Sequence, residues 1–353
     1  MKFGVQFFPD VKPDQKSGAQ YFNEALVLAE EGERLGFTHL RIVEHYFHYY
    51  GGYSPNPMLF LAAAAPRTRH ARLVTGAVLP VFNHPLKLAG EIGMLDAISG
   101  GRLDVGFARA FLPHEFRRFG RSPDESVARF REGLEQVELL LTQENVTHRG
   151  RFHVIDNTTS LPRPTQKPRP KFYVAALNTQ DSFAFAGKRG YSVMAIPLGG
   201  ATMRPLLAAY REAWKAAGHP GEGEVMLAFH MFCDVDGERA RAFACPLIDA
   251  YLHSLVEAAS DWLDGRTSKD YPGYEKVIEK LRQSRAADQI ISGAAWVGSP
   301  CEIVDQIRRT QEAFGEYEHA SLQVNFNIVP LQAALASMRL FAERVMPHFT
   351  GGR

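Results

Sequence analysis

The 353-residue chain contains few cysteines and carries almost no net charge. Its three cysteines, Cys233, Cys245 and Cys301, are far apart and odd in number, so they form no metal-binding spacing and indicate no disulfide framework. Its 40 Lys and Arg nearly balance its 39 Asp and Glu, which leaves a net charge of +1. That charge provides no field to attract nucleic acids or acidic membranes. We therefore expect a cytoplasmic protein that binds no nucleic acid, no membrane and no metal.

Long apolar runs are also missing. No apolar stretch approaches the roughly 20 residues of a transmembrane helix, and the run at residues 3–8 is too short for the core of a signal peptide. Hydrophobic residues form 45% of the chain and charged residues 22%, which is ordinary for a soluble globular protein.

Short apolar runs alternate with helical patterns along nearly the whole chain. This alternation indicates parallel strands joined by crossover helices. Eight strands of this kind match an α/β fold of the (β/α)8 type, the TIM barrel. The predicted strands are residues 3–8, 39–43, 73–79, 103–108, 172–176, 193–196, 225–232 and 322–326.

Helices are predicted between these strands from apolar periodicity and start signals. Two Ser-Pro-x-Glu sequences, at residues 122–125 and 299–302, are typical of a capping box with proline at the first helical position. The predicted helices are residues 21–35, 56–65, 86–98, 122 to about 141, 201–217, 239–258 and 331–345, with a further one starting at 299.

We predict a single barrel domain spanning residues 1–353. Two segments interrupt its alternation of strands and helices. Residues 145–170 combine a hairpin pattern with a proline-rich extended link. Residues 259–296 are polar and rich in turn residues. Because compact domains rarely keep so long an irregular segment without a use, we predict that 259–296 forms a lid over an active site. A surface excursion is the alternative.

The predicted strands end in aromatic and polar residues, among them one arginine and one histidine. Catalytic residues of a barrel lie at these carboxyl ends. Phe8 ends the first strand, His45 follows the second and Arg109 the fourth, while His230 and Asn325 lie at the seventh and eighth. An aromatic rim with a fixed cation suits a large, flat, anionic ligand such as a phosphorylated cofactor.

The loops beyond the second and fourth strands extend this rim. Exposed aromatic groups in clusters usually mark binding, so the tyrosines at 49 and 50 and the segment 111–119 are candidate walls of a substrate cavity. From strand-end position, the candidate pocket residues are Phe8, Tyr49, Tyr50, Phe111, His230 and Asn325.

Simpler interpretations remain open for each of these residues. Arg109 could only form an ion pair with Glu115, and His45 could be a hydrogen-bonded core histidine. His45 and His48 are three residues apart, which alone gives a zinc site little support. The spacing favours no Ser-His-Asp triad, and no pair of glutamates at adjacent strand ends suits glycoside hydrolysis.

Several longer segments resemble the bacterial luciferase-like flavin monooxygenases, in the order and spacing of that family. They are the start MKFG, residues 36–47 with the sequence EHYF, the strand LVTGAVLP at 73–80, the run 94–120 with LDAISGGR, the helix start VGSPCEIVDQI and the closing MRLFAERVMPHF. The resemblance covers nearly the whole chain and implies a (β/α)8 barrel.

The resemblance also implies a reaction. Members of this family bind reduced FMN, which a separate flavin reductase delivers, and use O2 as co-substrate. A flavin C4a-peroxide then oxygenates a small organic substrate such as an aldehyde or ketone. A homodimer is the usual assembly of the family.

Site residues follow from the same resemblance, position by position. His45 matches the catalytic histidine near the reacting flavin, and Arg109 matches the arginine that binds the FMN phosphate. Asn178, Thr179 and Ser182 match the loop and helix start that also hold this phosphate.

Five further positions match the surroundings of the flavin ring. Thr75, Gly76 and Ala77 match a strand bulge with a non-proline cis peptide under the ring, where glycine leaves space for the ring to approach. Ala108 and Leu177 adjoin the flavin and depart from the Cys and Glu of the catalytic luciferase subunit. We therefore expect no light emission.

Three other functions remain open. A deazaflavin-dependent oxidoreductase would transfer hydride without O2 on a similar barrel. A non-catalytic flavin-binding subunit is another, although the presence of both His45 and Arg109, with an uninterrupted segment 259–296, favours a catalytic chain. A hydrolase or aldolase is disfavoured, because the strand ends offer no nucleophile or metal set.

Overall fold

The computed structural model of the protein describes residues 1–350. Its strands are β1 Lys2–Phe7, β2 His39–Ile42, β3 Arg72–Val78, β4 Leu103–Phe107, β5 Val146–Arg149, β6 Val154–Thr158, β7 Lys171–Ala176, β8 Ser192–Ala195, β9 Val225–Cys233, β10 Ala295–Gly298 and β11 His319–Gln323.

The helices alternate with these strands. They are α1 Gly18–Arg34, α2 Pro57–Ala64, α3 Pro85–Ile98, α4 Pro113–Arg118, α5 Ser126–Thr142, α6 Gln180–Lys188, α7 Gly200–Ala216, α8 Gly237–Ala258, α9 Tyr274–Gln283, α10 Ala286–Ile291, α11 Pro300–Phe314, α12 Leu331–Arg344 and α13 Pro347–Thr350.

Eight parallel strands close into a barrel, which confirms the predicted fold. Their order around the ring is β1, β2, β3, β4, β7, β8, β9 and β11, and β11 pairs with β1 to complete the circle. Parallel pairing brings the carboxyl ends of all eight strands to one end of the barrel. The residues after these strands therefore surround a common opening, which we call the barrel mouth.

The last barrel strand lies earlier in the chain than predicted. The apolar run at 322–326 suggested the strand, whereas β11 spans His319–Gln323. His319, Ser321 and Gln323 alternate with apolar residues in β11 and are buried. A search for apolar runs misses a strand whose inward-facing residues are polar.

The second insertion is more ordered than its composition suggests. Residues 259–296 contain α9, α10 and the first two residues of β10, which pairs in parallel with the second half of β9. The prediction of an irregular segment was therefore wrong. The insertion proper ends before Ala295, and we call residues 259–294 the lid segment. The hairpin predicted within the first insertion is confirmed as β5 and β6.

The two predicted capping boxes differ in the structure. At α11, Ser299 and Glu302 exchange both hydrogen bonds of the motif. At the other site, Ser122 accepts a bond from the Asp124 amide, and a 3-10 turn precedes α5. The Glu125 carboxylate there pairs with Arg129 and a second arginine instead, because cations compete for it.

No helix within residues 1–350 combines the length and apolarity needed to cross a membrane.

Candidate active site

His45 lies at the barrel mouth, just beyond β2, and a buried glutamate holds its ring. The His45 Nδ1 is 3.1 Å from Oε1 of Glu115, and the Tyr46 amide donates to the same oxygen at 2.8 Å. Glu115 is fully buried on α4, and its Oε2 has no partner within the described chain. With Nδ1 facing Glu115, Nε2 is the nitrogen left to exchange a proton.

Aromatic rings surround His45. The ring centroids of Phe8, Tyr50 and Phe111 lie 5.6, 5.5 and 6.0 Å from that of His45. The Tyr50 hydroxyl lies 3.1 Å from the hydroxyl of Tyr251 on α8. Three of the predicted pocket residues therefore line one apolar enclosure around the imidazole, which limits its contact with water.

Glu44, the residue before His45, links two loops of the barrel mouth through hydrogen bonds. The buried Glu44 carboxylate accepts hydrogen bonds from the Tyr46 hydroxyl at 2.6 Å, the Asn83 amide at 2.8 Å and the Leu79 backbone at 3.3 Å. Burial raises the pKa of Glu44 to about 7 despite these donors. Glu44 ties the loop after β2 to the loop after β3.

The bulge on β3 has the backbone that the resemblance implies. The Gly76–Ala77 peptide bond is cis, and the pairing of β3 with β4 shifts between Thr75 and Val78. The Thr75 hydroxyl donates to the Gly106 carbonyl at 3.0 Å and accepts from its amide at 2.8 Å. These two bonds replace ladder bonds that a regular strand would form.

The packing of Arg41 against the bulge requires a glycine at position 76. A β-carbon at this position would lie 2.0 Å from the Nε atom of Arg41. The Arg41 side chain therefore occupies the position that a β-carbon on residue 76 would take. Arg41 also donates to the Gly76 carbonyl at 3.3 Å.

Arg109 lies after β4, half-buried, and faces the lid segment. Its guanidinium donates to the Asp270 carbonyl at 3.1 Å and lies 5.0 Å from the centre of the Tyr271 ring. Glu115 pairs with His45 instead, so the structure does not support the simple ion pair between Arg109 and Glu115. The Arg109 guanidinium keeps N–H donors for an anion, because the Asp270 carbonyl accepts from only part of it.

The lid segment packs onto the loop that carries Arg109. The Trp262 indole donates to the Phe111 carbonyl at 2.9 Å, and the Tyr271 hydroxyl donates to the Ala110 carbonyl at 2.8 Å. Trp262 and Tyr271 are both buried. The segment therefore covers one side of the barrel mouth.

The loop after β7 adjoins Arg109, because β7 is the neighbour of β4. Leu177 and Asn178 are half-buried there. Thr179 is the N-cap of α6 and makes no capping bond to its backbone. Its hydroxyl lies 2.7 Å from that of Ser182. The first turn of α6 thus presents amide groups and a positive dipole end near Arg109, a combination that suits a phosphate.

The residues present fit a flat, phosphate-bearing cofactor. Three alanines, Ala108, Ala175 and Ala228, are half-buried although they belong to barrel strands or their ends. Small side chains that stay partly accessible leave room inside the mouth. These small residues adjoin the Arg109 corner and the aromatic enclosure, a combination that suits a flat, phosphate-bearing cofactor such as a flavin.

Two pocket candidates lie outside this enclosure. The Tyr49 hydroxyl donates to the Glu257 carboxylate on α8, and its ring stacks with His48. Asn325 is buried with an unpartnered Oδ1 beside Tyr21 of α1. His230 is closer to the mouth and meets the Tyr251 ring at 4.6 Å.

Sequence reasoning missed the polar residues inside the strands. Arg41 donates to the Gln6 side chain at 2.9 Å inside the barrel, and Gln323 is buried on β11. Their signal was present, because a lone Gln or Arg within an apolar strand run is unusual. Within residues 1–350, His, Cys, Asp and Glu side chains form no group of three able to hold a metal ion.

Comparison with known proteins shows which family shares this architecture. Residues 1–317 match the family model of luciferase-like monooxygenases. The oxygenase component of a flavin-dependent trigonelline monooxygenase from Acinetobacter baylyi is 33% identical over 69% of this chain and 68% of that protein. An uncharacterized protein, y4wF from Sinorhizobium fredii, is 35% identical, but the match spans 56% of each chain.

Solved structures agree with the family model. The monooxygenase RslO1 from Streptomyces bottropensis is 43% identical, with a TM-score of 0.88 over 99% of this chain and all of that chain. The oxygenating constituent of 3,6-diketocamphane monooxygenase from Pseudomonas putida, solved with FMN, shares the fold at a TM-score of 0.80 and 22% identity, over 98% of both chains. The chain therefore belongs to the family of luciferase-like, flavin-dependent monooxygenases.

Proposed function

We propose that the protein is the oxygenase component of a two-component system, which uses reduced FMN and O2 to oxygenate a small organic substrate such as an aldehyde or ketone. The observation that carries this proposal is the His45–Glu115 pair inside an aromatic enclosure, next to the Arg109 corner. When bound, reduced FMN supplies the electrons that activate O2.

Each group of residues has a distinct task in this proposal. Arg109 and the first turn of α6, with Asn178, Thr179 and Ser182, bind the FMN phosphate. The bulge at residues 75–77, with Ala108 and Leu177, supports the flavin ring. The lid segment and the rings around His45 exclude water, which protects a reactive oxygen species from wasteful release as H2O2.

His45 acts as the catalytic proton carrier. Glu115 orients its ring through Nδ1, so that Nε2 exchanges the proton that oxygen transfer requires. A non-catalytic flavin-binding subunit would not need a histidine held in this way. The buried Glu115 therefore favours a catalytic chain.

The partners follow from the same reasoning. The trigonelline enzyme is named as an oxygenase component, and we propose a transient flavin reductase as the partner here. We also propose a homodimer, because Leu59 on α2 and Met94 and Ile98 on α3 are exposed apolar residues on two helices that pack together. Three unpaired cysteines suit the reducing cytoplasm.

A deazaflavin cofactor is the second candidate, since F420-dependent enzymes share the fold at 17% and 21% identity. Equilibrium titration with FMN, riboflavin and F420 distinguishes FMN from the deazaflavin as the cofactor. We expect FMN to bind most tightly, and Arg109→Ala to weaken FMN by ~1.5–3 kcal/mol, the value of a charged hydrogen bond. That is roughly a 10- to 150-fold loss.

Riboflavin, which lacks the phosphate, should bind Arg109→Ala and the wild type equally. Arg121→Ala, which removes an exposed arginine, is the matched control and should leave FMN affinity unchanged. Equal losses for FMN and riboflavin would exclude the phosphate role, and preference for F420 would select the deazaflavin function.

A further inference from the structure

A row of polar side chains crosses four neighbouring strands inside the barrel. In the sheet register, Arg41 on β2 pairs with Gln6 on β1, Gln6 with Gln323 on β11, and Gln323 with His230 on β9. Residues paired in register point to the same face of a parallel sheet. Because these strands are adjacent, the four side chains form one continuous band, which we call the polar row.

The polar row faces the barrel interior. Val74 on β3 is the register partner of Arg41, and it packs with Met194 and Met226 from strands on the far side of the ring. The hydrogen bond between Arg41 and Gln6, at 2.9 Å, joins side chains on that same inner face. The Arg41 guanidinium also contacts the Gly76 carbonyl of the bulge, so the row begins beside the proposed flavin site.

Three nitrogen atoms of the polar row have no hydrogen-bond partner among the described residues. They are Nε of Arg41, Nε2 of Gln323 and Nε2 of His230. Arg41 is only 6% exposed and Gln323 3%. The Arg41 and Gln323 nitrogens are N–H donors, and buried donors are nearly always paired in native proteins, so these two call for an acceptor that the protein itself does not provide.

The charge of Arg41 is also uncompensated. Its bonds go to neutral oxygens, the Gln6 amide and the Gly76 carbonyl, and no carboxylate within residues 1–350 forms a salt bridge with it. Burial lowers the pKa of Arg41 to about 10, so it stays protonated at neutral pH. An unpaired buried cation is costly and marks a binding site for an anion.

We infer that the polar row binds the substrate, and that this substrate carries an anionic oxygen, a carboxylate or an enolate, which pairs with Arg41 and Gln323. This inference rests on the proposed function, because it supplies the substrate class of the same site. The row would hold the charged end of the substrate while its reactive carbon faces the flavin and His45. Arg41 is then a specificity-determining residue and has no part in proton transfer.

Two matched probes test this inference, benzoate and its neutral analogue benzamide. Both are titrated into the FMN-saturated protein and into the FMN-free protein. We expect benzoate to bind at least tenfold more tightly than benzamide in both forms. Gln6→Glu gives Arg41 a carboxylate partner without a change in size, and should abolish this preference while benzamide affinity stays the same.

Gln143→Glu adds the same charge at an exposed position and should keep the preference for benzoate. If Gln6→Glu fails to fold, Arg41→Met, which removes the cation at similar volume, carries the same expectation. Equal affinities for the two probes in the wild type, or a preference that survives both variants, would overturn the inference. So would competition between benzoate and FMN, since Arg41 would then serve the flavin itself.

The two proposals can fail separately. FMN affinity is measured before the probes are added, so loss of FMN binding contradicts the proposed function alone. The benzoate preference in the FMN-free protein still decides whether the polar row is an anion site.

Discussion

At the scale of single residues, the site joins groups that are distant in the chain. His45 and Glu115 are 70 positions apart and meet because the segments after β2 and β4 end at the same mouth. The sequence identified His45 and Arg109 as strand-end residues. It could not assign Glu115 a partner, because spacing along the chain does not show which of two nearby groups a buried carboxylate will face.

His45→Ala tests the proton-carrying role. With the substrate that the wild type oxygenates, we expect the variant to bind FMN normally and to lose about 100- to 10,000-fold in product formation, the usual contribution of a general acid or base. H2O2 release should rise in the same assay. His253→Ala, exposed on α8, is the control. Unchanged yield of product per O2 in His45→Ala would remove His45 from the mechanism.

At the scale of elements, barrel strands with apolar runs were predictable to within a few residues. The missed elements are short or polar. β10 has four residues, and α9 has a low apolar content in which only Tyr274 and Ile278 are buried. Those two residues are four apart, the spacing of one helix face, so their pattern was present but brief. Tertiary packing against α8 and the loop after β4 completes the order of the lid segment.

Trp262→Phe tests how firmly the lid segment is held. The variant keeps an aromatic ring but loses the bond from the indole to the Phe111 carbonyl, which is worth about 1 kcal/mol. We expect limited proteolysis within residues 264–270 to become roughly fivefold faster, since cleavage follows the opening equilibrium. Trp214→Phe, which loses a similar bond from an indole on α7 to the Pro220 carbonyl, should leave this cleavage unchanged. Equal acceleration in both variants would show global loosening instead.

At the scale of the whole molecule, alternating strand and helix patterns were enough to predict the barrel. They could not show which surface meets another copy, because an exposed apolar residue is common on any protein. Only the fold brings Leu59, Met94 and Ile98 onto adjacent helices. The single-domain organisation and the homodimer both remain predictions, and these three residues give the homodimer a surface to test.

Met94→Glu places a charge in the proposed dimer surface. We expect the wild type to have twice the 39.4 kDa mass of the chain in solution, and the variant to have the mass of a monomer, because burying an unpaired carboxylate is unfavourable. Ile291→Glu, which changes an exposed apolar residue on α10, should stay dimeric. Light scattering coupled to size exclusion measures both. A dimer that survives Met94→Glu would place the interface elsewhere.

The central claim is that this chain transfers an oxygen atom from O2 with electrons from reduced FMN. Its most direct test is a single turnover of the protein loaded with reduced FMN, mixed with 18O2 and a panel of aldehydes, ketones and their carboxylate-bearing analogues. We predict one 18O atom in the product by mass spectrometry, and the best yield from an anionic substrate. Consumption of substrate without 18O incorporation, or a requirement for reduced F420, would contradict the account.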